Sequence, residues 1–230
     1  METQSGKQLR TVQFRTSDGA ILEGDLTLPE PATGIVVFAH GSGSGRHSPR
    51  NRMVAAMLGE RGLATFLIDL LTGPEETVDL RRGHLRFDVD LLASRLADAA
   101  AWVAGQPGTR SLPIGYFGAS TGAAAALVAA ARHPDEIGAV VSRGGRPDLA
   151  GPLLASVQAP TLLIVGGDDD LVIRLNRGAL GQLRARSRIE IIPGATHLFE
   201  EPGALEQVAH LAGDWFSRFL RSDQLTGTGS

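Results

Sequence analysis

The apolar stretch Ile114-Gly-Tyr-Phe-Gly118 has strand character and turns at Ala119-Ser120-Thr121-Gly122 straight into an alanine-rich helix. No other segment restricts the fold as strongly. A serine on so sharp a strand-to-helix turn has a strained backbone, and side chains two residues to either side would collide as strand and helix close together. Glycine at 118 and 122 and alanine at 119 and 123 fit that crowding. The helix that follows directs its free N–H groups and the positive end of its dipole back at Ser120, where an oxyanion would form. In a chain with 29 glycines the five-residue pattern arises readily by chance, so its surroundings must decide what it means.

Those surroundings alternate between strands and helices. Two β-rich segments, 9–15 and 20–28, flank the turn Ser17-Asp18-Gly19 and predict a hairpin. Past Pro29-Glu30-Pro31, apolar runs at 34–39, 64–68, 113–118, 138–142, 161–166 and 188–192 predict strands. Helical stretches are predicted at 50–60, 89–104, 121–132, 173–186 and 204–220. Such alternation implies a mostly parallel twisted sheet with helices on both faces. The connection 142–160 is too short for a cap domain, which leaves the loop 71–86 as the other candidate for covering a site. The expected organisation is one α/β domain over 1–222 and a flexible tail over 223–230.

In open parallel sheets ligands bind beyond the carboxyl ends of the strands, and candidate chemistry follows four of them here. After the first parallel strand comes His40-Gly-Ser-Gly-Ser-Gly45, whose small residues let backbone N–H groups approach a ligand. In an acyl-transfer reading the N–H groups of Ser42 and Thr121 hold the tetrahedral oxyanion. A phosphate loop is the rival reading, but the Gly-Lys-Ser/Thr ending is absent and the spacing departs from G-x-G-x-x-G. After 161–165 come Asp168, Asp169 and Asp170. One of these can orient a histidine, while the others cap the next helix or face solvent. The spacing of a calcium loop is missing. After 188–192 comes His197, the best placed of six histidines to act as a general base. His40 is site-adjacent and expected to brace its loop. Arg143 and Arg146 follow another strand. They pair either with a substrate carboxylate or, as surface arginines usually do, with nearby acids. Leu70, Leu71, Leu198 and Phe199 line an apolar pocket or pack beneath the loops.

The order Ser120, Asp169, His197, together with the motifs His40-Gly-Ser-Gly-Ser-Gly45, Gly118-Ala-Ser-Thr-Gly122, Val165-Gly-Gly-Asp-Asp-Asp-Leu-Val172 and Gly194-Ala-Thr-His-Leu-Phe199, resembles α/β hydrolases of the dienelactone hydrolase-like group from about residue 9 to 220. The family pattern Gly-x-x-Asp-x-x-Val selects Asp169. Dienelactone hydrolases proper use a cysteine nucleophile, and serine stands here, which favours ordinary carboxylic ester hydrolysis. The resemblance implies a Ser120–His197–Asp169 triad, an oxyanion hole at Ser42 and Thr121, and substrate contacts among His40, Gly41, Leu71, Arg143, Leu198 and Phe199, with no metal or organic cofactor. A noncatalytic binding protein of the same fold and an acyltransferase are the alternatives.

Composition narrows the partners. A formal charge of −3 and the lack of basic clusters interleaved with aromatics give no nucleic-acid footprint. No apolar run reaches the length of a membrane span. The absence of cysteine excludes a disulfide framework and a thiol nucleophile. A cytoplasmic monomer or homodimer acting on a small-molecule ester is the expectation.

Overall fold

The structure is a computed structural model and describes residues 8–220. The tail expected at 223–230 lies outside the described residues. Eight strands form one sheet: β1 (Gln8–Arg15), β2 (Ile21–Leu28), β3 (Gly34–Ala39), β4 (Leu63–Ile68), β5 (Ile114–Ala119), β6 (Ile137–Arg143), β7 (Thr161–Gly166) and β8 (Ser187–Ile192), in the order β1-β2-β4-β3-β5-β6-β7-β8. β1 pairs antiparallel with β2, and β2 antiparallel with β4; every other neighbouring pair is parallel.

The parallel strands are apolar on both sides because both sides are covered. In β3 the side chains of Val37 and Ile35 join one core, and those of Val36 and Phe38 the other. The first core also holds Phe66 and Tyr116 and lies beneath α3 (Val89–Gly105), α4 (Thr121–Arg132) and α5 (Asp170–Leu180). The second holds Phe117 and Val141 beneath α1 (Pro49–Glu60) and α6 (Ala204–Phe219). Each large side chain buried this way contributes about 1.5–3 kcal/mol. Helix α4 is buried from Thr121 through Ala130, and its alanines let it sit close to β5 and α3.

The supposed loop 71–86 carries a helix, α2 (Gly73–Arg82), followed by a 3-10 turn at Leu85–Phe87. Thr72 and Glu75 form a capping box, and Gly83 ends the helix in the left-handed conformation (φ 64°). Arg95, buried in α3, anchors this helix: Nη2 donates to Glu75 Oε1 (2.7 Å) and Asp18 Oδ2 (2.9 Å), and Nη1 to the Leu70 carbonyl (2.9 Å). The connection after β6 is a 3-10 segment, Pro147–Ser156, kinked at Gly151. Helix α5 starts and ends earlier than the expected 173–186, because Asp169 caps its first turn and Gly181 follows its last residue.

Candidate active site

Ser120 stands between β5 and α4 with φ 51° and ψ −120°, backbone space that residues with a Cβ seldom occupy. A Cβ on Gly118 would press into the Cα of Ala123, and one on Gly122 into the carbonyl oxygens of Ala39 and His40. The crowding inferred from the sequence is therefore physical. The end of β6 and the loop after it pin the elbow: Ser120 N–H donates to the Arg143 carbonyl (3.2 Å), and Arg146 N–H to the Ser120 carbonyl (3.1 Å). A methyl group on Gly144 in that loop would lie 3.6 Å from Cε1 of His197, so one short segment borders both residues.

The loops after β7 and β8 are stitched together. Gly167 N–H donates to the Ile192 carbonyl (2.8 Å) and Asp168 N–H to that of Ala195 (3.0 Å). A Cβ on Gly166 would meet the Ala195 and Thr196 carbonyls, so glycine is what allows this approach. Asp169 is thereby brought to His197, with Oδ2 at 2.7 Å from Nδ1. Its Oδ1 accepts from Val172 N–H at 3.4 Å and caps α5. Capping and histidine contact, assigned to different members of the triplet in the sequence reading, fall on one residue; Asp168 and Asp170 are exposed. A carboxylate on Nδ1 fixes the proton there and leaves Nε2 free to accept one.

The amide of Ser42 donates to the hydroxyl oxygen of Thr121 at 3.0 Å, which ties the glycine loop to the start of α4. The Thr121 N–H belongs to the first helical turn, whose amides have no partner within the helix. His40 does brace its loop. Its Nε2 accepts from Leu70 N–H (3.0 Å), so the proton is on Nδ1, which donates to the Gly41 carbonyl (2.9 Å). Burial holds its pKa below the ordinary value, against the opposing pull of the Gly41 bond and Asp69.

A cavity of about 470 Å³ opens beside this loop. Gly41, Ser42, Thr121, Leu71, Leu80 and Leu92 are among the residues that line it. Leu71 lines the cavity, whereas Leu70 and Phe199 are fully buried in packing and do not. Leu198 is exposed and also outside this lining. The two arginines part company. Arg146 pairs with Asp148 through two bonds of 2.9 and 2.8 Å, as expected of a surface arginine. Arg143 does not: it is buried, with no ion-pair partner among the described residues.

Asn176 is not among the residues that the sequence motifs point to. It is fully buried in α5 and donates to the carbonyls of Gly145 (2.9 Å) and Val172 (2.8 Å), tying the helix that carries Asp169 to the loop beneath Ser120. Its one signal is a polar residue on the apolar face of that helix. Among the described residues no group of His, Asp or Glu side chains converges as metal ligands do, and no helix is long and apolar enough to cross a membrane.

A parallel sheet entered through an antiparallel hairpin, with a strained serine after the central strand and an acid and a histidine after the last two, defines the α/β-hydrolase fold. The model of the dienelactone hydrolase family matches residues 22–221, and the chain belongs to that family. A dienelactone hydrolase from Anabaena variabilis superposes with a TM-score of 0.91 at 59% identity, over 94% of this chain and 99% of its own. A cold-adapted esterase from an Arctic intertidal metagenomic library shares the fold, with a TM-score of 0.74 at 19% identity over 96% and 97% of the two chains. Proteins from two strains of Mycobacterium tuberculosis, whose given name is that of a phosphoribosyl transferase, are 60% identical over 222 residues. The match takes in 96% of this chain and 48% of theirs, so the chain spans about half the length of these curated relatives.

Proposed function

We propose that this chain hydrolyses small carboxylic esters, lactones included, through an acyl-enzyme on Ser120. The observation that carries the reading is the 2.7 Å contact of Asp169 with Nδ1 of His197, on loops that border the same 143–146 segment as the strained serine. In this mechanism His197 Nε2 takes the Ser120 hydroxyl proton as Oγ attacks the ester carbonyl, and Asp169 stabilises the imidazolium that forms. The carbonyl oxygen, now an anion, is held by the N–H groups of Thr121 and Ser42. For Ser42 this requires its amide to turn from the Thr121 hydroxyl to the substrate. The imidazolium then gives its proton to the leaving alcohol, and water repeats the sequence on the acyl-enzyme.

The name carried by the M. tuberculosis relatives belongs to proteins about twice as long, and the hydrolytic reading concerns the half that this chain matches. The family match and the Anabaena neighbour support hydrolysis in that half. The test is turnover of chromogenic acetate and butyrate esters, with an active-site fluorophosphonate to label the nucleophile. Turnover with one label per chain, on Ser120, is expected. Ligand binding without turnover or labelling would instead favour a noncatalytic pocket, and transfer of the acyl group to an added alcohol in preference to water would favour an acyltransferase.

A further inference from the structure

Helix α5 buries Val172, Asn176 and Ala179, and the amide of Asn176 is the polar group among them. Its Nδ2 commits both hydrogens, to the carbonyls of Val172 (2.8 Å) and Gly145 (2.9 Å). Both partners are acceptors, so the amide can face only one way, and Oδ1 is left buried without a donor. An acceptor orphaned in this way is destabilising. The bond to Val172 adds little, because that carbonyl, four residues back, is the regular acceptor of the Asn176 backbone N–H in the helix. What the amide contributes is therefore the bond to Gly145, which leaves the helix.

The Gly145 carbonyl belongs to the same peptide unit as the Arg146 N–H, and that N–H donates to the Ser120 carbonyl (3.1 Å). One rigid plane thus has Asn176 at its oxygen and the backbone of the proposed nucleophile at its nitrogen. The plane is also packed tightly, since a Cβ on Gly145 would press into Ser142 Oγ and into Cβ of Ala123 in the first turn of α4. On its other side Asn176 stands one turn beyond Val172, whose N–H meets Asp169 Oδ1 (3.4 Å), while Asp169 Oδ2 holds Nδ1 of His197 (2.7 Å). A path of hydrogen bonds runs from the Ser120 carbonyl to the His197 ring. Within it Asn176 joins the half that carries the serine to the half that carries the acid and the base.

We propose that Asn176 is a positioning residue for the reaction, setting Ser120 in register with the Asp169–His197 pair through the 145–146 peptide. The proposal rests on the hydrolase reading above. Fully buried, Asn176 reaches no substrate. Its loss leaves serine, histidine and aspartate chemically intact and shifts one part of the site against the other. Proton transfer from the serine hydroxyl needs hydrogen-bond reach, and a misplacement near 1 Å lowers the rate on the order of 10²-fold.

Asn176→Leu removes both donors at similar volume. In this variant kcat for p-nitrophenyl acetate should fall about 10- to 100-fold, with KM within about twofold of wild type, and fluorophosphonate labelling of Ser120 should slow by a similar factor. Asn176→Asp adds a pH readout. The protonated acid donates one bond and the ionised carboxylate none, so kcat relative to wild type at the same pH should fall as pH rises. Amide hydrogen exchange reads the link without turnover: in Asn176→Leu the Arg146 amide should lose protection at least about tenfold more than amides in the middle of β5 and β7. Wild-type kcat and labelling in a folded Asn176→Leu protein would sink the positioning role and leave the hydrolase reading standing. So would a loss of protection spread evenly over the sheet, or failure of both variants to fold, either of which would make Asn176 a structural residue only. A wild type that neither turns over esters nor labels would sink the hydrolase reading instead, and a selective loss at Arg146 would still keep the link between the two halves.

Discussion

Asp169 divides its carboxylate between two tasks, holding Nδ1 of His197 with Oδ2 at 2.7 Å and capping α5 with Oδ1 at 3.4 Å from the amide of Val172. The helix cap fixes the carboxylate, and the fixed carboxylate orients the imidazole. Asparagine at 169 can still cap the helix, because its side-chain oxygen is as good an acceptor at that position. What it removes is the charge that holds the histidine tautomer and stabilises the imidazolium.

Asp169→Asn should therefore lower kcat by roughly 10⁴-fold with little change in melting temperature. Asp168→Asn and Asp170→Asn, at exposed positions, should leave kcat within a few-fold of wild type. Steady-state kinetics alongside thermal melts separates the two roles. Collapse of kcat in the 168 or 170 variant, with 169 spared, would move the acid elsewhere.

Ser120 should trade stability for reactivity. Its backbone at φ 51° and ψ −120° stores strain on the order of 1–3 kcal/mol. Glycine would relieve that strain at an entropic cost of about 0.5–1 kcal/mol. Ser120→Gly should thus melt about 2–4 °C above wild type, a gain near 1 kcal/mol for a chain of this size. Ser120→Ala keeps a Cβ and should not gain. Both should lose at least roughly 10³-fold in kcat. Equal melting temperatures for the two variants would show that the elbow stores no strain.

The sheet was legible because its strands are apolar on both faces and glycine or proline punctuates the chain between them. The three site loops could be placed because each follows such a strand. Helix α2 escaped because hydrophobic periodicity detects only helices that lie on a core. Its one buried residue is Asp79, while Val78 and Leu80 face outward. The Thr72-Gly-Pro-Glu75 capping box was the readable sign. Arg143 and Arg146 are three residues apart in similar sequence surroundings, yet one is buried without a partner and the other paired at the surface. Arg143 is still within β6 with its side chain under Phe199, whereas Arg146 lies past the strand beside Asp148. Whether a counterion arrives depends on elements distant in sequence, α1 and the 197–201 loop, and local pattern carries no trace of it.

His40 should make stability depend on pH. In the fold it is buried and neutral, with both ring nitrogens bonded to backbone. In the unfolded chain it titrates near the ordinary value of 6.5. Because the folded pKa lies lower, the unfolded state binds more protons between the two values. The contribution is complete above pH 6.5 and is lost as pH falls toward the folded pKa, at no more than about 1.4 kcal/mol per pH unit for one proton. Urea unfolding from pH 8 to 5 should show this decline. In His40→Gln the curve should be lower at pH 8 but flatter below pH 6.5, and an equally steep decline there would assign the effect to other groups.

Acyl-chain preference should depend on Leu80. This side chain is 75% exposed, yet it lines the same cavity of about 470 Å³ as Ser42 and Thr121, on a helix held by the Arg95–Glu75 anchor at one end and the Asp79–Arg86 pair at the other. Acetate is too short to reach such a wall. A longer chain gains about 0.8 kcal/mol for each methylene it buries against Leu71, Leu80 and Leu92. Glu76, Asp79 and Leu80 of α2 are part of the cavity lining, so the gain should stop within a few methylenes. For p-nitrophenyl esters from acetate to palmitate, kcat/KM should peak below octanoate. Leu80→Ser should move the peak toward acetate, lowering kcat/KM for hexanoate several-fold while changing acetate little, because so exposed a residue contributes little to folding. A wild-type maximum at octanoate or beyond would mean that long chains follow another groove, and an equal fall for acetate and hexanoate in Leu80→Ser would mean that the cavity does not receive the acyl group.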